Sequence, residues 1–207
     1  MQNTLETLFK YWNEVRAGRL APRRLEIEPA SIATLLADTF MLERAQDDSF
    51  HYRLAGTRVC DTFGGELRGA GFLTDFHDND RIALKRDLAS LVERGAVIRL
   101  GILGIADARH TIDIESILLP LAHSGNSVNR ILGACVPTSR PPWLGHYKIK
   151  KQRLINHEIV WPDGRPFPVL ERAVAQQPFT RNHNVVRIVR SENRTFRVLQ
   201  GGRPDAD

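Results

Sequence analysis

Few side chains in this 207-residue sequence have the types and spacing that chemistry needs. His77 and Asp80 in "FHDNDR" would make a metal pair, but two ligands without a third hold an ion poorly. Asp113 and Glu115 alternate with Ile112 and Ile114, a strand pattern that turns both carboxylates toward water. There is no G-x-S-x-G, no H-E-x-x-H, no P-loop and no Rossmann glycine pattern. The convergent set that an enzyme requires is therefore missing. Cys60 and Cys135 lie far apart, each in an apolar setting, and read as reduced core residues rather than a disulfide. The expectation is a non-catalytic protein with no metal and no cofactor.

The basic residues are the second candidate. Arg187, Arg190, Arg194 and Arg197 lie in "VVRIVRSENRTFRVLQGG", which has the alternation of a hairpin, with Arg181 and Arg203 on either side. On one face these arginines would hold phosphate groups of a nucleotide, a nucleic acid or an anionic lipid. Phe196 is the one stacking platform among them, and no nucleic-acid motif accompanies it. A solvated strand face, or a dock for an acidic protein, is the preferred reading over nucleic acid. Charge distribution agrees. Residues 138–207 carry 13 Lys and Arg against 6 Asp and Glu, whereas residues 1–137 carry 16 against 18. Such asymmetry belongs to a partner surface more than to the fold.

The elements that position these residues follow from periodicity. Asn3 and Glu6 have capping-box spacing. Leu5, Leu8, Phe9, Trp12 and Val15 then recur at helical intervals, leaving Glu6, Lys10, Asn13 and Arg16 on the wet side, and Gly18 ends the helix. A second helix is expected from Pro29, burying Ile32, Leu35 and Leu36. "TFMLER" and "SFHYRLAG" read as paired strands, with Tyr52 and Leu54 inward. Thr57 caps a short helix to Phe63, closed by Gly64-Gly65. Leu84, Leu88, Leu91 and Val92 mark a longer helix that Gly95 stops. Three apolar runs, 97–106, 111–122 and 128–137, are joined by short polar links and predict an antiparallel meander. Beyond Thr138 the texture changes, and Pro141-Pro142 reads as a linker. The start of the chain lacks the basic and apolar regions of an export signal, and no eighteen apolar residues run together. The expectation is a cytoplasmic protein without a membrane span.

Strand, strand, short helix, longer helix and three strands within about a hundred residues is the element order of PAS domains. "LFKYWNEVRAGRLAPRRLEIEP", "FMLER", "YRLAGTRVCDTFGGELRG" and "SILLPLAHSGNSVNRILG" resemble a bacterial PAS-like family once described only as a domain of unknown function. The resemblance covers about residues 5–137. It implies an α+β fold, a PAS-like five-stranded antiparallel sheet with helices on one face. In that reading 1–37 is a helical lead-in, 38–137 the PAS-like domain, and 138–207 a basic extension.

The resemblance also implies a small core enclosure. Cys60, Phe63, Leu67, Phe72 and Phe76 would flank it, with Leu100, Ile102 and Leu118 as its floor. A guest there would be small and mostly apolar, oriented by one or two hydrogen bonds. Light-sensing relatives surround a reactive cysteine with Asn, Arg and Gln, but the neighbours of Cys60 in "RVCDTFG" are not that set. Haem-binding relatives ligate iron through a histidine near the longer helix, whereas His77 stands in a polar run. Such a module regulates through protein–protein contact, and its first helix commonly packs on a second copy. The Leu5–Leu8–Trp12 stripe therefore sets the expectation of a homodimer that docks a regulatory protein.

Overall fold

The computed structural model describes residues 2–123 and 127–167. Helix α1 spans Gln2–Arg16, followed by β1 (Thr39–Arg44), β2 (Phe50–Ala55), α2 (Thr57–Phe63) and α3 (Asp78–Arg94). Strands β3 (Val97–Ile105), β4 (Thr111–Ala122), β5 (Val128–Pro137) and β6 (Lys151–Val160) complete the order. All six strands form one antiparallel sheet in the order β2-β1-β5-β4-β3-β6. The expected count was five. The sixth is "KQRLINHEIV", taken with the extension, which pairs with β3 from Val97↔Val160 to Ile105↔Lys151. It covers an apolar strand edge that would otherwise be open to other chains.

Both faces of the sheet are covered, not one. On the inner face Ile98, Leu100, Ile114 and Leu118 pack beneath Leu84, Leu88 and Leu91 of α3 and Val59 and Phe63 of α2. On the outer face Ile117, Leu119, Leu121 and Leu132 pack against Leu8 and Trp12 of α1. This explains why β4 and β5 read as nearly continuous apolar runs, since a strand buried on both sides loses its polar alternation. Trp12 is 0% exposed. Its indole Nε1 donates to the Pro120 carbonyl at 2.8 Å. Pro120, which has no N–H, lies past the end of the β3 ladder at Ile98↔Leu118, so it removes no bond to β3. The stripe that suggested a homodimer is thus consumed within the chain.

Other expectations change with the packing. Arg16, assigned to the wet face, is only 4% exposed. Its guanidinium forks onto Asp163 at 3.0 and 2.5 Å and lies 5.5 Å from the Trp12 ring centroid. It ties the end of α1 to the turn after β6. Helix α1 already includes Gln2, so Asn3 is inside the helix rather than capping it, and Glu6 pairs with Arg99. The expected second helix is two 3-10 turns, Pro29–Ile32 and Leu36–Asp38, and Leu36 is 40% exposed rather than buried. Leu54 is 53% exposed because Met41 pairs with Leu54 and Leu42 with Tyr52. The extra residue, Arg53, is a bulge that sends Leu54 to the opposite face. Gly56, not Thr57, is the N-cap of α2, with no side-chain cap bond. Among the described residues no helix is long and apolar enough to cross a membrane.

Two predictions follow from this packing. A Cβ on Gly56 would overlap the backbone carbonyl oxygens of Leu36 and Ala37, and backbone cannot step aside as a side chain can. Gly56→Ala is expected to cost on the order of 1–3 kcal/mol, read as a lower midpoint in urea; an unchanged midpoint would contradict the close approach. The second concerns acid. Hydrogen bonding from Arg16 holds the Asp163 carboxyl below the ordinary carboxylate range. Hydrogen bonds from His110, Ser49 and Arg19 do the same for Asp107, Asp47 and Glu26. Their folded-state pKa values are depressed, so the unfolded chain binds more protons at acid pH. The stability they contribute is complete above about pH 4 to 5 and drains away below it. Urea midpoints measured from pH 6 to pH 3 are expected to fall, and to fall less steeply in Asp163→Asn.

Candidate functional site

The inner face carries the residues that the sequence singled out. Phe63, Phe72, Phe76, Leu100, Ile102 and Leu118 are all buried in one cluster, with Leu67 half-buried at its margin. Cys60 is half-buried on α2, its Sγ 4.0 Å from the Ala55 carbonyl. The structure brings this set together through two local devices. The helix α2 ends at Gly64, whose φ of 72° is a left-handed conformation that side chains rarely adopt. The glycine-rich loop that follows then lies along the free edge of β2. Gly69 N–H donates to Tyr52 O at 2.7 Å, Tyr52 N–H to Ala70 O at 2.9 Å and Phe72 N–H to Phe50 O at 2.8 Å. The loop behaves as a surrogate strand and carries Phe72 over the sheet.

Aromatic contacts continue the wall. Tyr52 meets Phe40 edge-on at 5.5 Å and Phe72 at 5.9 Å, and Phe72 meets Phe76 at 6.0 Å between centroids. Phe40 and Tyr52 come from β1 and β2; alternation placed Tyr52 inward, Phe40 was not singled out from sequence, and their meeting with Phe72 depends on the loop. Burial raises the Tyr52 phenol well above its usual pKa, with Cys135, Asp75 and Cys60 nearby. Among the described residues its hydroxyl has no hydrogen-bond partner. Burial likewise pushes the Cys135 thiol up.

The stretch read as a linker is part of the same site. Ile149 is buried in the inner cluster, and Trp143 and Leu144 pack against it. Ile149 N–H donates to Phe63 O at 3.0 Å and Lys150 N–H to Ile105 O at 2.9 Å. A Cβ on Gly64 would sit 2.6 Å from the Tyr147 carbonyl oxygen, so this crossover rests directly on the end of α2. The available signal was the apolar set Trp143, Leu144 and Ile149, which a solvated linker has no reason to carry.

Polar groups collect at the seams between elements. Asp80 accepts from Arg153 Nε at 3.0 Å and from the Leu154 N–H at 3.1 Å. Asp87 of α3 is buried, with Oδ2 2.5 Å from Nδ1 of His157 on β6. Each pins α3 to β6. Thus Asp80 is an anchor and not a metal partner of His77. His77 is exposed and precedes α3 as its N-cap residue, its backbone N–H donating to Gln152 O. No group of three or more His, Cys, Asp or Glu is placed to hold a metal ion among the described residues. One Ser–His contact has the look of a nucleophile and base: Ser49 Oγ is 2.8 Å from His51 Nε2. Ser49 also donates to Asp47 Oδ1 at 2.6 Å, which makes the group a brace for the β1–β2 turn. Arg187, Arg190, Arg194 and Arg197 lie outside the described residues.

Residues 1–136 match the family model described as PAS domain. The chain belongs to the PAS domain family. The match ends within β5 and therefore excludes β6 and the crossover that precedes it. The crystal structure of a Rhodobacter sphaeroides LOV protein is similar to this PAS domain at 12% identity and a TM-score of 0.40, over 50% of this chain and 60% of that one. No curated protein matches the chain.

Thiol chemistry tests the packing of this PAS domain's inner face. Ellman's reagent is expected to reach Cys60 in the native state and Cys135 only after denaturation, because Cys135 is buried and its thiolate is disfavoured. Rapid native labelling of both thiols would show that the inner face is open.

Proposed function

We propose that this PAS domain is a non-catalytic sensory or regulatory module. In this reading a small, mostly apolar molecule enters the inner face, and the outcome is read through contact with another protein. The observation that carries the proposal is Tyr52. It is 6% exposed, sits in an aromatic wall, and presents a hydroxyl without a partner among the described residues. The hydroxyl is not among the buried side-chain atoms that lack a partner; it reaches accessible space, where it is placed to donate to one acceptor atom of a guest. Phe63, Phe72, Phe76, Leu100, Ile102 and Leu118 supply apolar contact around it, with Cys60 and Leu67 at the margin.

The route outward follows from the sheet. Leu100 and Ile102 face the inner cluster, and their strand is hydrogen-bonded along its length to β6. Strand β6 is in turn fixed to α3 through Asp80 and Asp87, and the turn that follows it to α1 through Arg16 and Asp163. A guest that displaces β3 or α2 therefore acts on the segment leading out of the domain.

The test is native mass spectrometry of freshly purified protein alongside Tyr52→Phe. A bound small molecule, or a library compound that raises the melting temperature, is expected in the wild type. Affinity should drop by about three- to tenfold in Tyr52→Phe, while the variant's own stability changes little. No adduct and no stabilising compound, or equal affinity in wild type and Tyr52→Phe, would sink the proposal.

A further inference from the structure

A pocket opens on the outer face of the sheet, beyond the part that α1 covers. It has a volume of about 200 Å³ and lies between the 3-10 turns and the β1–β2 edge. Met41, Leu132, Ile27 and Ile32 form its buried floor, and Leu36 and Leu54 stand exposed at its rim. Three independent backbone features build it. The bulge at Arg53 turns Leu54 to this face. Pro29 opens the turn that sets Ile32 inward. The close approach of Gly56 to Leu36 and Ala37 fixes the back wall.

Arg24 also lines this pocket. Arg23 is exposed and does not line it; of the other neighbouring arginines, Arg16 is satisfied by Asp163, Arg19 by Glu26 and Arg58 by Asp38. Arg24 has no ion-pair or side-chain hydrogen-bond partner among the described residues. An apolar concavity with one free guanidinium beside it is complementary to an amphiphile whose head is an anion of the planar, forked kind that arginine grips. The size is below the roughly 300–1,000 Å³ of pockets for drug-sized ligands. At ordinary packing density it holds about six to eight carbon atoms.

We propose that this outer pocket binds a small apolar carboxylic acid, its chain against Met41, Leu132 and Leu54 and its carboxylate on Arg24. The site is separate from the inner face and does not depend on Tyr52 or on a guest there.

The test uses octanoate and octanol as probes on the full-length chain with methyl-labelled leucine and methionine, followed by NMR. Octanoate is expected to give saturable shifts at Leu36, Leu54, Leu132 and Met41. Arg24→Gln should weaken octanoate about tenfold and leave octanol unchanged, and Leu54→Glu should abolish both. Equal octanoate affinity in wild type and Arg24→Gln overturns the assignment of the carboxylate. Shifts confined to Leu84, Leu100 or Leu118 place the guest on the inner face and overturn the site. Rim shifts that depend on protein concentration without any probe show a second copy covering the pocket, and overturn it too.

Discussion

The Trp12 ring is wholly buried on the outer face of the sheet, with its indole N–H on the Pro120 carbonyl and the Arg16 guanidinium beside it. That contact makes α1 a structural layer of the domain. Strands β4 and β5 are apolar on both sides, and α3 with α2 and the aromatic loop covers only one of them. Without α1, the side chains of Ile117, Leu119, Leu121 and Leu132 would face water. Burying each of those side chains contributes about 1.5–3 kcal/mol, so the loss would rival the net stability of a whole domain. Both surfaces with functional potential depend on this layering. The inner wall exists because the sheet has a sealed back, and the outer pocket exists where the seal stops short.

Charge is used at the edges of the layers and kept out of them. Arg16 with Asp163, Arg58 with Asp38, Asp80 with Arg153 and Asp87 with His157 each join two elements distant in sequence. In several of them one partner is buried and the other reaches solvent, which limits the desolvation cost of the pair. Pairs of this kind contribute less to stability than to register, since an alternative docking of β6 or α1 would strand a buried charge. The inner face holds none of these pairs. Its polar groups include Ser116, whose hydroxyl donates to the Ala134 carbonyl at 2.9 Å, and the Tyr52 hydroxyl within the aromatic wall.

Strand β6 and the crossover before it extend the domain beyond the residues that define its family match. They close the β3 edge and rest on the end of α2 through Ile149 and the Tyr147–Lys148 backbone. The consequence is mechanical. The short α2, which walls the inner face, is held by the same segment that leads out of the domain.

Local sequence determined the elements whose periodicity was strong. Helix α3 stops at Gly95 and α2 at Gly64 because both glycines take left-handed conformations that other residues resist. The three long strands follow their apolar runs nearly to the residue, whereas the inner-face set from Phe63 to Leu118 came from the resemblance to PAS-like sequences and not from periodicity. Other features needed the assembled fold. The stripe of α1 is apolar whichever surface it meets, so its pattern could not say whether a second copy or the chain's own sheet would cover it. Arg16 looked wet because its partner, Asp163, is nearly 150 positions away, and Leu54 looked buried because a one-residue bulge is silent in a period-two pattern. Strand β6 has too few apolar residues to announce itself, since it gains its stability from the ladder with β3. Periodicity encodes which side of an element is apolar; only tertiary packing decides what that side meets.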